Sequence, residues 1–342
     1  SKRWRTSRRT HAAKKSWSSK HHPGCLELFF VLRVIAILSG MTIMEALQWA
    51  NNKLRKAGVD SPMLDVEILL AFALDTPKSW LFAHFADKLK THQEEKFLEL
   101  VARRENREPV AYLVGKKAFY GRDFMVDKHV LIPRPETETM VELALKILAG
   151  KDPERTLTAD LGTGSGAIAV SIAGETKLPV IAVDIDEAAL EVAKKNATAL
   201  VPEMAVDLQA GNLAEPIIRI FKTIRGQTNV QTSSVYPFKT LLLTANLPYL
   251  SQVRMDNLQA EVRHEPELAL RAGADGLDAY WSLFRQLRDD RKILPREVIV
   301  LIEIDPEQLQ ATEKLILHNF PSAKLEIHKD HHDDIRIVEV HV

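Results

Sequence analysis

The chain contains one cysteine, Cys25, in 342 residues, so no intrachain disulfide framework holds it together. A reducing compartment, the cytoplasm, is the expected setting. Aromatic residues are sparse at 6%, and no apolar run is long enough for a membrane-spanning helix, so no membrane association is expected. Net charge is also missing, with 46 Lys and Arg against 46 Asp and Glu, but that balance conceals an asymmetry. Residues 1–40 hold nine of the bases and a single acid, Glu27, which leaves 37 bases and 45 acids in 41–342, a net of −8. An acidic body is a poor start for sequence-independent RNA or DNA binding, which depends on neutralising phosphates. No direct nucleic-acid contact is expected.

The length allows one large domain and a smaller one. Residues 1–40 join a basic, Ser-rich front to an apolar stretch from Cys25 to Leu38. A secretory signal or a membrane-surface segment would share that outline, but Glu27 and Arg33 interrupt the run and no small-residue cleavage site is clear. The expectation is a start at Met41, with 1–40 upstream sequence or a poorly ordered extension. Residues 41–110 read as a small helical bundle. Met44, Leu47, Leu54 and Ala57 space a first helix that stops at Gly58, and Ser61-Pro62 begins a second through Leu64, Val66, Leu69, Leu70 and Phe72. Residues from Trp80 to Val101 supply a third and a fourth. Residues 111–140 read as a connector containing a short hairpin around Phe119-Tyr-Gly121 and Phe124-Met-Val126. It ends in Leu131-Ile-Pro-Arg-Pro-Glu-Thr-Glu138, where Pro133 and Pro135 hold Arg134 extended and a helix can begin at Glu136. Glu136 and Glu138 suit a first helical turn, which is a structural reason for their presence.

The stretch with most chemical content is Thr158-Ala-Asp-Leu-Gly-Thr-Gly-Ser-Gly-Ala-Ile-Ala-Val-Ser-Ile-Ala173. It reads as strand, glycine turn and helix. Glycines let a backbone lie against a ligand, and a helix start offers free N–H groups. A tight strand-to-helix turn needs glycine anyway. However, Pro179-Val-Ile-Ala-Val-Asp-Ile-Asp186 follows as a second buried strand ending in acids. An acid placed there, Asp184, can hold ribose hydroxyls, so the pair favours an adenosine-bearing ligand. A third strand within Met204–Leu213 ends at Asn212, whose amide could meet an adenine edge. Residues 225–239 read as a polar, mobile insertion.

Thr240-Leu-Leu-Leu-Thr-Ala-Asn-Leu-Pro-Tyr249 then runs as a buried strand into Asn246-Leu-Pro-Tyr249. Methylating an amide or aromatic amino nitrogen requires that its NH₂ group be aimed at an electrophilic methyl. The Asn246 side-chain oxygen and the Leu247 carbonyl can each accept one N–H, Pro248 stiffens the turn, and Tyr249 can pack on the flat face of the acceptor. Strands at Glu297–Ile304, Ala323–His328 and Ile335–Val342, with a helix at Glu307–Leu317, complete the sheet. Glu303 has two readings, a structural one and a place in the site. His331-His-Asp-Asp334 has metal-ligand composition, but no third ligand motif accompanies it, so it reads as a solvated hairpin loop and no metal site is expected.

Together, Phe119-Tyr-Gly121, Leu131-Ile-Pro-Arg-Pro-Glu-Thr-Glu138, Asp160–Ala169, Asn246-Leu-Pro-Tyr249, and His264-Glu-Pro-Glu-Leu-Ala-Leu270 with Gly273-Ala-Asp-Gly-Leu277 resemble the release-factor glutamine N5-methyltransferases, the HemK family. The resemblance covers about 41–342. It implies an α/β fold: a Rossmann-like class I methyltransferase sheet of seven strands, the last antiparallel, preceded by the helical bundle, with the catalytic domain at 141–342. It implies S-adenosyl-L-methionine as cofactor and a peptide chain release factor as partner, methylated on the glutamine of its Gly-Gly-Gln loop. By motif, Gly162, Thr163, Gly164, Ser165 and Gly166 would line the methionine end of the cofactor. Asp184 would take the ribose, and Asn212 and Leu213 would flank adenine. Asn246, Leu247, Pro248 and Tyr249 would be catalytic, Asn246 at the join of cofactor and acceptor, with Phe119, Arg134 and Glu138 beside the substrate. A monomer is favoured, although no residue pattern sets the oligomeric state. Two departures stand out: the family commonly has proline at Leu247 and aspartate at Asn212. Asn-Leu-Pro-Tyr is also typical of ribosomal RNA adenine dimethyltransferases, a rival that the acidic body and the Arg-Pro-Glu-Thr-Glu block disfavour. A binding protein that kept the fold without catalysis is the other alternative.

Overall fold

The structure, a computed structural model, describes residues 40–203, 206–227 and 237–342. The expectations for 1–39, and for the insertion over 228–236, lie outside the described residues. Thr42 opens helix α1 (Ile43–Lys56) with a reciprocal cap: its hydroxyl accepts from the Glu45 N–H, and the Glu45 carboxylate accepts from the Thr42 N–H. Helices α2 (Pro62–Leu74), α3 (Lys78–Leu81), α4 (Thr91–Glu105) and α5 (Val110–Val114) follow. The buried stripe of α1 is Ile43, Ala46, Leu47, Ala50 and Leu54, which keeps the expected Leu47 and Leu54 but has Ile43 in place of Met44; Met44 and, in α2, Leu64 are exposed. Helix α5 also belongs to the bundle, since Leu113 packs into its core. Helix α5, which begins at the expected end of the bundle, thus continues its packing up to Gly115.

The hairpin is present as β1 (Lys116–Phe119) and β2 (Arg122–Met125), paired antiparallel. A tight turn over Pro135–Thr137 precedes helix α6 (Glu138–Ala149), so the helix proper starts two residues later than expected. Then come β3 (Thr156–Leu161), α7 (Ala167–Thr176), β4 (Val180–Asp184), α8 (Glu187–Leu200), β5 (Val206–Ala210), α9 (Glu215–Gln227) and β6 (Thr240–Ala245). Residues 225–227, expected in the insertion, are the last turn of α9. The chain closes with α10 (Gln252–Asp256), α11 (Asp278–Asp289), β7 (Glu297–Glu303), α12 (Leu309–Asn319), β8 (Lys324–Lys329) and β9 (Ile335–His341). Among the described residues, no helix is long and apolar enough to cross a membrane.

The seven strands form one sheet in the order β5-β4-β3-β6-β7-β9-β8, with only β9 antiparallel to its neighbours. Each core strand is apolar on both faces, as a sheet covered on both sides requires. Leu241, Leu243, Val298, Val300 and Ile302 point to the layer of α9, α11 and α12. Leu242, Ile299 and Leu301 point to the layer of α6 and α7. The chain winds outward from β3 to β5 and then returns, placing β6 on the other side of β3. A crevice opens at such a reversal, beyond the carboxyl ends of the two strands.

Candidate active site

The β3–β6 register pairs Leu161 with Ala245, so the next residues of each strand, Gly162 and Asn246, lie side by side at that crevice. A Cβ on Gly162 would lie 2.9 Å from Leu247 Cδ2, which ties the glycine bend to the Asn-Leu-Pro-Tyr corner. Both corners open on one cavity of about 600 Å³, within the size range of small-molecule sites. Gly162, Thr163, Gly164, Ser165, Asp184, Asn212, Leu213, Asn246, Leu247, Pro248, Phe119 and Arg134 all line it. Gly166 does not; it caps α7 at φ +79°, packed against Ala193 of α8.

Buried groups hold the bend. Asp160 accepts from the Thr163 hydroxyl at 2.6 Å and the Thr244 hydroxyl at 2.8 Å. Burial pushes its carboxyl up to about 6 against those bonds. Asn196 on α8 spans from the bend to the hairpin, donating to the Ser165 and Met125 carbonyls and accepting from the Met125 N–H. Gly164 sits at φ +55°, and a Cβ there would meet no atom within 4 Å, so the backbone presents a bare wall to the cavity. Its N–H donates to Asp184 Oδ2 at 2.8 Å, and the Asp186 N–H donates to Oδ1 at 3.0 Å. Burial raises the Asp184 carboxyl, against those N–H bonds. Leu213 is left-handed at φ +57°, an unusual conformation for a branched side chain, and Gln286 of α11 braces it by accepting from the Ala214 N–H and donating to the Asn212 carbonyl.

The Asn-Leu-Pro-Tyr corner is braced largely by side chains. Leu247 is buried, and its N–H donates to the Tyr280 hydroxyl at 3.3 Å, a bond that a proline at this position could not make. Tyr280 in turn donates to the Glu303 backbone carbonyl. Asn246 Nδ2 donates to Thr137 Oγ1 at 3.1 Å, and that hydroxyl donates to Glu303 Oε2 at 2.7 Å. Glu303 is therefore in the site's support, and burial pushes it up to about 7 against bonds from Thr137 and Tyr249 and the nearby charge of Arg336. Tyr249 does not line the large cavity. It lines an adjoining one of about 360 Å³, which shares Asn246, Arg134 and Leu131 with the first. Glu138, expected beside the substrate, instead accepts the Tyr120 N–H at 2.8 Å, bracing a left-handed turn at φ +46° in the hairpin. It lines neither cavity, because its helix starts by turning it toward β1 and β2.

The segment after Tyr249 is clasped to the bundle. Glu261 accepts from Arg107 at 2.6 Å and 2.7 Å and from Arg104 at 2.8 Å. Burial alone would raise its carboxyl, but the two guanidinium partners prevail and hold it at about 2. Glu265, buried, accepts from the Arg134 guanidinium and the Ile132 N–H. Arg134 is thus positioned by the same segment that follows the corner. His331 and His332 lie in the exposed turn between β8 and β9.

Residues 45–115 match the family described as the PrmC N-terminal domain, and 137–219 match ribosomal protein L11 methyltransferase (PrmA). The release factor glutamine methyltransferase of Bacillus cereus is 35% identical over 290 residues, 84% of this chain and 94% of that protein. That of Bacillus subtilis is 37% identical over 293 residues, again 84% and 94%. The enzyme of the same name from Moorella thermoacetica is 37% identical over 277 residues, 80% of this chain and 89% of its own length. Each of these matches covers at least 80% of this chain at 35% identity or more, and the chain belongs to the release factor glutamine methyltransferase family.

Proposed function

We propose that this protein transfers a methyl group from S-adenosyl-L-methionine to the side-chain amide nitrogen of the glutamine in the Gly-Gly-Gln loop of a peptide chain release factor. The observation that carries this reading is the shared cavity, with the glycine bend on one wall and the Asn246–Pro248 corner on the next. The donor set fits the cofactor. A bare backbone surface at Gly164 suits the methionine end. Each Asp184 oxygen accepts one backbone N–H and keeps a lone pair for a ribose hydroxyl. Asn212 and the braced Leu213 would flank adenine.

When bound, the cofactor supplies a methyl group on a sulfonium, activated for displacement. The chain's own residues would do the rest. Asn246 Oδ1 and the Leu247 carbonyl accept the two N–H bonds of the glutamine amide, fixing its nitrogen in line. An amide nitrogen is a weak nucleophile because its lone pair is delocalised, so orienting it in a site closed to water supplies much of the rate. Tyr249 and Arg134, which line both cavities' junction or its far side, would receive the loop that carries the glutamine. The surplus proton leaves after transfer.

The test is to incubate the full chain with methyl-labelled cofactor and one of three acceptors: a release factor, its loop variant with Gln replaced by Ala, or ribosomal RNA. Label on the native factor alone is expected. Label on RNA, or none on any acceptor, would overturn the proposal.

A further inference from the structure

Asn246 and Glu303 are separated by Thr137, and the hydrogen-bond chain through them has a direction. A hydroxyl has one proton. Thr137 spends it on Glu303 Oε2, at 2.7 Å, so toward Asn246 its oxygen can only accept. The Asn246 group facing Thr137 must then be the NH₂. Its Oδ1 has no protein partner among the described residues, on a side chain that lines the cavity. An asparagine at this corner could otherwise present either end of its amide, and only the oxygen can accept an N–H from an acceptor amide.

We propose that Thr137 and Glu303 are positioning residues for methyl transfer: the Glu303 carboxylate, acting through the Thr137 hydroxyl, orients the Asn246 amide so that its oxygen faces the acceptor. This rests on the reaction proposed above and names the groups that prepare it. Glu303 comes from the end of β7 and Thr137 from the turn before α6, so the orientation is imposed by elements 166 residues apart in sequence. The second Glu303 oxygen accepts from the Tyr249 hydroxyl at 3.4 Å, and Tyr280 holds the residue's backbone carbonyl. The Thr137 side therefore keeps Oε2 to itself.

The chain has a consequence for pH. The charged groups acting on Glu303 are Arg336 of β9, which favours its ionised form, and Glu136, which opposes it; Arg336 is itself paired with Asp330. Once Glu303 binds a proton, that proton can be donated to Thr137, and the Thr137 hydroxyl is then free to donate to Asn246. The amide reverses and presents NH₂ to the cavity. Turnover is expected to fall as pH drops through about 7.

Three measurements test this. Thr137→Val should lower kcat about tenfold to a hundredfold while the cofactor Kd stays within about threefold, and Thr137→Ser should keep kcat within about threefold of wild type. Glu303→Gln should lose the inflection of kcat near pH 7. Independently of activity, the ¹⁵N side-chain amide signal of Asn246 should move with a midpoint near pH 7 in the wild type and not in Glu303→Gln. A Thr137→Val enzyme with wild-type kcat, or an Asn246 amide signal indifferent to pH from 6 to 8, would overturn the inference. If the amide signal tracks pH while the wild type labels no release factor, the orienting chain stands and the proposed reaction fails.

Discussion

The two ends of the cavity are built from different materials. The bend from Gly162 to Gly166 is a backbone surface, tied within the turn by Thr163 to Asp160, to the adjacent strands by Asp184 and Thr244, and to α8 by Asn196. The Asn246 corner is a side-chain surface whose supports come from afar: Thr137 before α6, Tyr280 on α11, Glu303 on β7. A cofactor common to many enzymes can be held by a backbone shape. An acceptor amide requires donors and acceptors in one fixed sense, and only a network of side chains specifies that sense. The two ends touch where Gly162 meets Leu247.

Substitutions can break this division. The largest effect is expected at the acceptor end: Asn246→Ala should lower kcat about 10²–10³-fold, the range seen when one charge-stabilising group is deleted from an active site. Steady-state turnover on release factor checks it. Next is the pH dependence of folding. Glu303 and Asp160 have carboxyls raised by burial to about 7 and about 6. The folded state therefore binds these protons more tightly than the unfolded chain. The stabilisation is complete below the unfolded carboxylate range and is lost as pH rises through about 7, a loss on the order of 3 kcal/mol for Glu303. Thermal unfolding from pH 5 to 8 should show Tm falling, with a flatter profile in Glu303→Gln. At the cofactor end, Asp184→Ala should weaken cofactor binding by ~1.5–3 kcal/mol while kcat at saturating cofactor stays within a few-fold, as titration and kinetics together would show.

The smallest effects sharpen the comparison most. Gly162→Ala and Gly164→Ala both force an L residue to a positive φ, +69° and +55°, costing about 1–2 kcal/mol each. At Gly164 the added Cβ meets no neighbour within 4 Å, so cofactor affinity alone should fall. At Gly162 it lies 2.9 Å from Leu247, so kcat should fall as well. Equal kinetic profiles for the two variants would count against a link at that contact.

How much was readable in advance follows the same division. Short apolar runs, glycines at a strand end and an acid at the next are local signals, so all seven strands and the bend could be located from the residues alone. Asn246 and Leu247 were likewise marked by their motif. Helix α11 was not, because its Tyr280 and Gln286 look like any amphipathic stripe until the fold brings them to the corner. Glu303 stood out only as one acid ending an apolar strand, and Thr137 was hidden inside a block whose Arg and Glu drew the eye. Glu138 misled for a related reason: the motif placed it near the site, and only the hairpin's left-handed Tyr120 explains where its carboxylate goes. In the first helix Ile43 holds the place expected of Met44 because, adjacent to it, Ile43 also satisfies helical spacing.

The separation of donor end from acceptor end is tested most directly by titrating S-adenosyl-L-methionine into the full chain and into Asn246→Ala. Equal dissociation constants, within about threefold, are expected beside the collapse in turnover. A loss of affinity as large as that of Asp184→Ala would contradict it, and would make Asn246 part of the cofactor's seat instead of the acceptor's.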